Sequence, residues 1–444
     1  MGNVPTATLE FGGVTYHVER TLGKGAYGKV QVLFPPRECP HLPMLVVKRM
    51  HKQLLITKGT QVIQALRFEK HVLSNLQHPL LVNLHATFQN ENELFMVLDL
   101  MAGGDLSYWL AKEKRQGNFP VFSEDRVRFY AACLLLSLSF FHGNNIVHRD
   151  IKPDNIMLCG KGYAHLTDLN VSKMLDPEKR TASGFAGSPS YICPEMFRRE
   201  IYNSSADMWS LGATLFEMLA GRVPWTRLEH PESVEFIEAN DVPEAYLSHT
   251  KGDPNYERMV KRILRERISW PSKMGLSELC KDFITRLLCP ASKRLSARSA
   301  MKHPWFESMD WDALFRMEIP APFVPNTDTA NADAHHMFEE VMGPKVKFRP
   351  LTDAEQAFFI DWDWDRQGGV LPGDKTEKPP KKSLLKTSRA CRERQVAFVE
   401  KGVDLPELKS FPPFRRAVAT PSLELSGGAS TPTFSAAASS QPQS

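Results

Sequence analysis

Apolar positions along this chain change their period from one region to the next. Between residues 16 and 98, short β-branched or apolar runs predict strands, among them Val30-Gln31-Val32-Leu33-Phe34 and Leu45-Val46-Val47-Lys48. One segment breaks that rhythm. From Val62 to Leu73 apolar residues recur at 62, 66, around 69 and at 72–73, the spacing of one helical face. From 102 to 306 the pattern is mostly helical. Ala131–Phe141 is apolar nearly throughout but shorter than the roughly 18 residues of a membrane span, so it reads as a buried core helix. Past residue 365 the periodicity fades, Pro, Ser, Ala and Lys are frequent, and the chain closes in a Ser/Ala/Gln tract. Such a composition buries too little surface to fold, and 365–444 is expected to be disordered. The pattern predicts an α+β chain with a small strand-rich lobe and a larger helical one.

Composition narrows the function classes. The chain has 444 residues, 42% of them hydrophobic, enough for two lobes and extensions. A formal charge of +4 argues against bulk nucleic-acid binding as the main activity. Seven scattered cysteines (39, 133, 159, 193, 280, 289 and 391) form no CxxC pair, so reduced thiols in a cytoplasmic or nuclear protein are expected. The first twenty residues carry Glu10, His17, Glu19 and Arg20 and no apolar core, unlike a secretory signal.

The chemistry concentrates in ordered motifs. Gly23-Lys24-Gly25-Ala26-Tyr27-Gly28 is a glycine-rich turn that lets backbone N–H groups approach phosphates. Alone it could be a dinucleotide fingerprint, but that form opens a helix, and here strands follow, so it is a hairpin turn. Lys48 comes next, then His148-Arg149-Asp150-Ile151-Lys152-Pro153-Asp154-Asn155, then Asp168 within Leu166-Thr167-Asp168-Leu169-Asn170. A lid, a cation, a carboxylate and two oxygen ligands for Mg²⁺ are the parts that phosphoryl transfer needs.

This ordered set resembles the eukaryotic protein kinases over roughly residues 16 to 306. Further likenesses are Gly187-Ser188-Pro189-Ser190-Tyr191-Ile192-Cys193-Pro194-Glu195, Asp207-Met208-Trp209-Ser210-Leu211-Gly212, and Arg294 where the family pairs an arginine with the glutamate, here Glu195. The resemblance implies a two-lobed fold, with a small lobe at 16–98 and a large lobe at 102–306. It implies ATP and Mg²⁺ as cofactors and protein Ser/Thr hydroxyls as acceptors. Lys48 would hold the α/β-phosphates with Glu69 as partner, and Asp168 and Asn155 would ligate Mg²⁺. Asp150 would orient the acceptor hydroxyl, and Lys152 marks the Ser/Thr branch. Gly23, Gly25 and Gly28 would form the lid, with Leu22, Val30 and Val46 above the adenine and Met157 below. Leu98 would be the gatekeeper and Asp99 and Met101 the hinge, with Asp105 at the ribose. Asp105, Asp154 and Glu217 match positions that contact substrate arginines in basophilic members.

Beyond the domain, 307–364 resembles the C-terminal tail of the AGC group, on Pro322-Phe323-Val324-Pro325-Asn326 and Met337-Phe338-Glu339-Glu340. Met309–Phe315 and Asn170 look most like the YANK-type members, the serine/threonine kinase 32 family. Phe359-Ile360-Asp361-Trp362-Asp363-Trp364 resembles the group's hydrophobic motif, with Asp363 at the phosphosite, and implies a tail filling a groove beside the Glu69 helix. Departures are Leu169 for phenylalanine, Asn170 for glycine, and Gly184 where the group is phosphorylated, with Thr181 and Ser183 off register. The altered triplet keeps a second reading open, a catalytically weak or dead kinase fold used as a scaffold. A small-molecule kinase is disfavoured by Lys152 and the complete Pro-Glu segment. Residues 226–268 read as a surface elaboration of the large lobe. Residues 1–15 read as a leader, and Met1-Gly2-Asn3-Val4-Pro5-Thr6 fits an N-myristoylation signal. One such chain gives reversible membrane association. A monomer is expected.

Overall fold

The computed structural model describes residues 7–25, 28–225, 253–265, 268–271, 274–327 and 348–366. The Met1–Thr6 signal, the Met337–Glu340 motif, most of 226–268 and the chain after 366 lie outside them.

The small lobe is built on an antiparallel sheet. Its strands are β1 (Ala7–Phe11), β2 (Val14–Gly25), β3 (Gly28–Phe34) and β4 (Leu45–His51), then β5 (Leu84–Gln89) and β6 (Glu93–Asp99). The helices α1 (Lys52–Lys58) and α2 (Thr60–Asn75) follow β4. A two-residue hairpin at Gly12-Gly13, both at positive φ, joins β1 to β2 in the register Phe11↔Val14. The sheet therefore begins inside the segment 1–15 read from sequence as a leader. Side chains alternate between two faces. Leu9, Phe11, Tyr16, Val47, Phe95 and Val97 belong to one buried cluster. Leu84, Leu94 and Met96 belong to the other, with Ile63, Leu66 and Val72 of α2. Gly28 allows β3 to approach β4 closely, since a Cβ there would lie 1.7 Å from the Arg49 carbonyl oxygen.

The large lobe contains α3 (Leu106–Arg115), α4 (Glu124–Gly143), two short β pairs, α5 (Pro194–Phe197) and α6 (Ser205–Ala220). The β pairs are β7 (Ile146–Val147) with β10 (Lys173–Met174), and β8 (Ile156–Leu158) with β9 (Ala164–Leu166). Ser123 caps α4, Glu124 and Asp125 sit in its first turn, and most of its residues are buried, as its apolar run requires. Four more helices are α7 (Pro254–Arg265), α8 (Glu278–Leu287), α9 (Ala297–Ala300) and α10 (Trp311–Phe315). No helix among the described residues is long and apolar enough to cross a membrane.

The tail returns to the small lobe. Phe323 packs on Trp109, and the Arg126 guanidinium lies over its ring at 3.8 Å. Further along, Thr352 and Glu355 form a capping box on α11 (Asp353–Ala357). β11 (Trp364–Asp365) then pairs with β5 as a seventh strand of the sheet.

Candidate active site

Lys48 lies on β4, and α2 brings Glu69 to it. The Lys48 ammonium donates to both Glu69 carboxylate oxygens at 3.2 Å. Burial pushes the Glu69 carboxyl above its ordinary range, the Lys48 charge opposes this, and the Asp168 carboxylate adds to it. Asp168 is thus within electrostatic reach of the pair. Its backbone is left-handed, φ 62°, and its Oδ1 accepts the Asn170 N–H at 3.0 Å. The neighbouring Leu169 is buried, and so are Leu73, Leu84 and His148. A small cavity, wide enough for a water molecule, separates α2 from this segment, lined by Glu69, Leu73, Leu98, Asp168 and Leu169 among others.

The loop carrying Asp150 is held from below by Asp207, which is fully buried. Its carboxylate accepts the backbone N–H of His148 at 2.9 Å, that of Arg149 at 2.8 Å, and a contact from His142 Nε2 at 2.8 Å. Burial opposes the charge on Asp207, but these bonds and the His142 ring hold its carboxyl below the usual range. Arg149 adopts φ 69°, a conformation that costs a non-glycine residue about 1–2 kcal/mol. Its guanidinium donates to the Val171 carbonyl at 2.6 Å and to the Tyr202 hydroxyl at 2.9 Å.

Asp150, next in sequence, accepts the Ser188 N–H at 2.7 Å and one Asn155 amide N–H at 2.8 Å. The Lys152 ammonium lies 3.2 Å from its carboxylate and donates to Ser188 Oγ at 2.6 Å. Burial would raise the Asp150 carboxyl, but the Ser188 and Lys152 bonds overcome it and keep the group low, hence anionic at neutral pH. The Asn155 amide nitrogen is committed to the Asp150 carboxylate and carbonyl, so its oxygen is the end left to meet a cation. That oxygen and the Asp168 carboxylate are hard donors of the kind Mg²⁺ prefers.

The sheet carries Leu22, Val30 and Val46 on β2 to β4, with Val46 opposite Leu98. Gly25 pairs with Gly28 where β2 turns into β3, with Gly23 two residues earlier. Met157 lies on β8 and bridges Asp105. Two of the sequence-derived residues have further commitments. The Asp99 carboxylate binds His85 Nε2 at 2.7 Å and the Asn83 N–H and amide at 3.0 Å, and its own N–H goes to the Asn83 carbonyl. Its side chain is therefore committed within the protein rather than to a ligand at the hinge. Asp105 caps α3 by accepting the Tyr108 N–H at 2.8 Å.

The segment after Asp168 is ordered without a charge at Gly184, which sits at φ 104°. Ala182 and Tyr202 exchange two backbone hydrogen bonds, and Lys173 donates to the Ser183 carbonyl at 3.0 Å. At Gly187 a Cβ would lie 2.2 Å from the Arg149 carbonyl, so only glycine fits. Glu195 and Arg294 form the expected buried pair at 2.9 Å. Glu217 accepts the Tyr191 hydroxyl at 2.5 Å, while burial raises its carboxyl and exposed Asp154 adds to that rise.

Phe359 and Trp362 are each 1% exposed, between α2 and the strands β5 and β6. Gln89 donates to the Phe359 carbonyl at 3.0 Å, Trp362 Nε1 to the Phe95 carbonyl at 3.2 Å, and Thr87 to the Trp362 carbonyl. The groove's polar wall has no signal in the sequence. Lys52, fully buried, donates to Gln356 at 2.8 Å and lies over the Phe359 ring. Arg67 donates to the Phe358 and Ile360 carbonyls, and Lys70 to that of Asp361. Burial draws the Lys70 ammonium down to about 8, helped by Arg67 and opposed by Asp363 and Asp361.

A family model described as a protein kinase domain matches residues 16–306. A probable serine/threonine-protein kinase of Dictyostelium discoideum is 33% identical, across 81% of this chain and 72% of the relative. The RAC family serine/threonine-protein kinase homolog of the same organism is 32% identical, across 75% and 68%. Human serine/threonine-protein kinase 32B is 32% identical, across 76% and 73%. The match spans both lobes and the relatives agree in kind: the chain belongs to the protein kinase family and is a protein serine/threonine kinase.

Proposed function

We propose that the chain is catalytically active and transfers the γ-phosphoryl group of ATP to Ser or Thr hydroxyls of proteins, with basic residues preferred near the acceptor. The observation that carries this is the simultaneous order of both halves of the site. Lys48 is paired with Glu69, and Asp150 is charged and aimed by Ser188, Asn155 and Lys152. A kinase fold kept only as a scaffold has no need of either arrangement.

When bound with the nucleotide, Mg²⁺ supplies charge neutralisation on the phosphates, held by Asp168 and Asn155. Lys48 binds the α/β-phosphates, and Glu69 fixes the ammonium in one place. Asp150 accepts the hydrogen bond of the acceptor hydroxyl and orients it for in-line attack. Lys152 sits beside that carboxylate to neutralise the transferring group. Leu22, Val30 and Val46 cover the adenine and Met157 supports it, with Asp99 and Met101 at its edge. The basic preference is supported by Glu217, a half-buried carboxylate under the influence of Asp154, which a substrate guanidinium would satisfy bidentately.

One experiment tests both parts. Purified full chain with MgATP and a Ser/Thr peptide library should give phosphorylation enriched in Arg or Lys upstream of the acceptor. Asp150→Asn should lower turnover about 100-fold or more. Equal turnover in wild type and Asp150→Asn would establish the scaffold reading, and transfer without Arg/Lys enrichment would remove the basic preference alone.

A further inference from the structure

α2 ends at Asn75, and the last carbonyls of a helix have no partner within it. One of these, the Leu73 carbonyl, lies a single turn beyond Glu69. It accepts Arg366 Nη2 at 3.0 Å. Arg366 Nε donates to the Leu84 carbonyl at 2.7 Å, and the Arg366 backbone N–H to the His85 carbonyl at 3.0 Å. The β5–β6 register shifts between Leu84 and Ala86, and this irregularity is where the guanidinium meets the strand. A planar guanidinium therefore joins the end of α2 to the start of β5, and a cation at a helix C-terminus also suits the helix dipole.

Two surroundings give this contact weight. His85, whose carbonyl takes the Arg366 N–H, binds Asp99 at the hinge through its ring. Burial lowers the Arg366 guanidinium from the ordinary arginine value, and the field of Asp99 opposes that. On its inner side α2 borders the small cavity lined by Glu69, Leu73 and Leu169, while Ile63, Leu66 and Val72 pack into the core. The Arg366 bonds add a polar tie at the end of the helix, one turn beyond Glu69.

We propose that Arg366 is a positioning residue for phosphoryl transfer: by tying the last turn of α2 to β5, it fixes the angle at which Glu69 meets Lys48. The proposal rests on the active-kinase reading. Arg366 also helps to seat the tail through its backbone bond to His85, so positioning is told apart from anchoring by kcat per folded molecule. A lysine cannot reproduce the role, since its single ammonium does not span two carbonyls as the rigid guanidinium fork does.

The test uses the full chain, with Arg366→Ala, Arg366→Lys and, as a control for charge loss, Arg316→Ala, whose exposed side chain pairs only with Glu318 among the bonds described. Arg366→Ala should lower kcat about 10-fold, the scale of a small misplacement of reacting groups, with peptide KM within about twofold of wild type. Backbone amides of residues 69–76 should exchange hydrogen faster in that variant. Arg366→Lys should not restore kcat, whereas millimolar guanidinium ion should partly restore it in Arg366→Ala and leave wild type unchanged. Arg316→Ala should match wild type. The proposal is overturned if Arg366→Ala keeps wild-type kcat, or if its melting temperature falls while kcat per folded molecule and exchange at 69–76 stay unchanged. Were wild type itself inactive, the kinase reading would fall, and the exchange measurement would still decide whether Arg366 holds α2.

Discussion

Around Asp150 the constraints come from within the large lobe. Asp207 binds His142 and the Arg149 N–H, Ser188 and Asn155 bind Asp150 itself, and the strained turn at Arg149 is held further by Val171 and Tyr202. Around Glu69 the constraints come from far along the chain. Lys52 reaches Gln356, 304 residues on, and Arg67 reaches Ile360, 293 residues on. The inner side of the same helix faces a cavity. A site half built on a saturated buried network is intrinsic to its lobe. A site half held by a docked segment is contingent on that segment, because segments closed over long loops open locally before the core does. Under the proposed function, acceptor orientation belongs to the permanent part of the molecule and nucleotide positioning to the conditional part.

The sharpest way to break the permanent half is Asp207→Ala. It leaves the His148 and Arg149 N–H groups buried without acceptors, each costing about 1–3 kcal/mol. Denaturant unfolding should show a loss of about 3 kcal/mol or more, and turnover should fall with the Arg149 turn released. Full activity in a folded Asp207→Ala protein would show that the Asp150 loop holds itself.

The conditional half is tested by Phe359→Ala with Trp362→Ala. Both rings are buried, and truncating them typically costs about 3–5 kcal/mol each in a core. Here the cost should appear as release of the tail, with the large lobe intact. Turnover should fall about 10-fold as Glu69 loses its hold on Lys48, a misplacement effect. A double variant that melts earlier but keeps full specific activity would reduce the tail to an anchor and collapse the contrast between the halves.

The contrast was only half legible in the sequence. The Asp150 side is read from local runs, by motif order and spacing, and the apolar stripe from 62 to 73 predicts the helix α2 that carries Glu69. The Glu69 supports are different. Arg366, Lys52 and Lys70 look like ordinary surface cations, because their partners are carbonyls hundreds of residues away. Asp99 reads as a hinge residue, and nothing near it in sequence shows that its carboxylate belongs to His85 and Asn83. The β1 strand had a signal in Gly12-Gly13 between apolar runs, which the reading of 1–15 as a leader did not use.

The smallest predicted effect lies at the joint between the halves. His78 follows α2 and packs against Phe140 of α4 and Phe315 of α10. Its Nδ1 accepts the Leu80 N–H at 3.1 Å, which a protonated ring could not do. Burial lowers its pKa to about 3, with His165 nearby adding to the shift. In the unfolded chain the value is near 6.5. Between those values the unfolded state binds more protons than the folded one, so stability is complete above about pH 6.5 and declines as pH falls towards 3. At pH 5 the loss from this group is about 2 kcal/mol. His78→Asn keeps an acceptor oxygen and removes the titration. It should be less stable than wild type at pH 7.5, and the difference in urea unfolding free energy should shrink by about 2 kcal/mol at pH 5. Comparing the two proteins cancels the carboxylates, which titrate in both. A difference that stays constant with pH would mean that His78 is not held neutral, and that the joint between the lobes admits water.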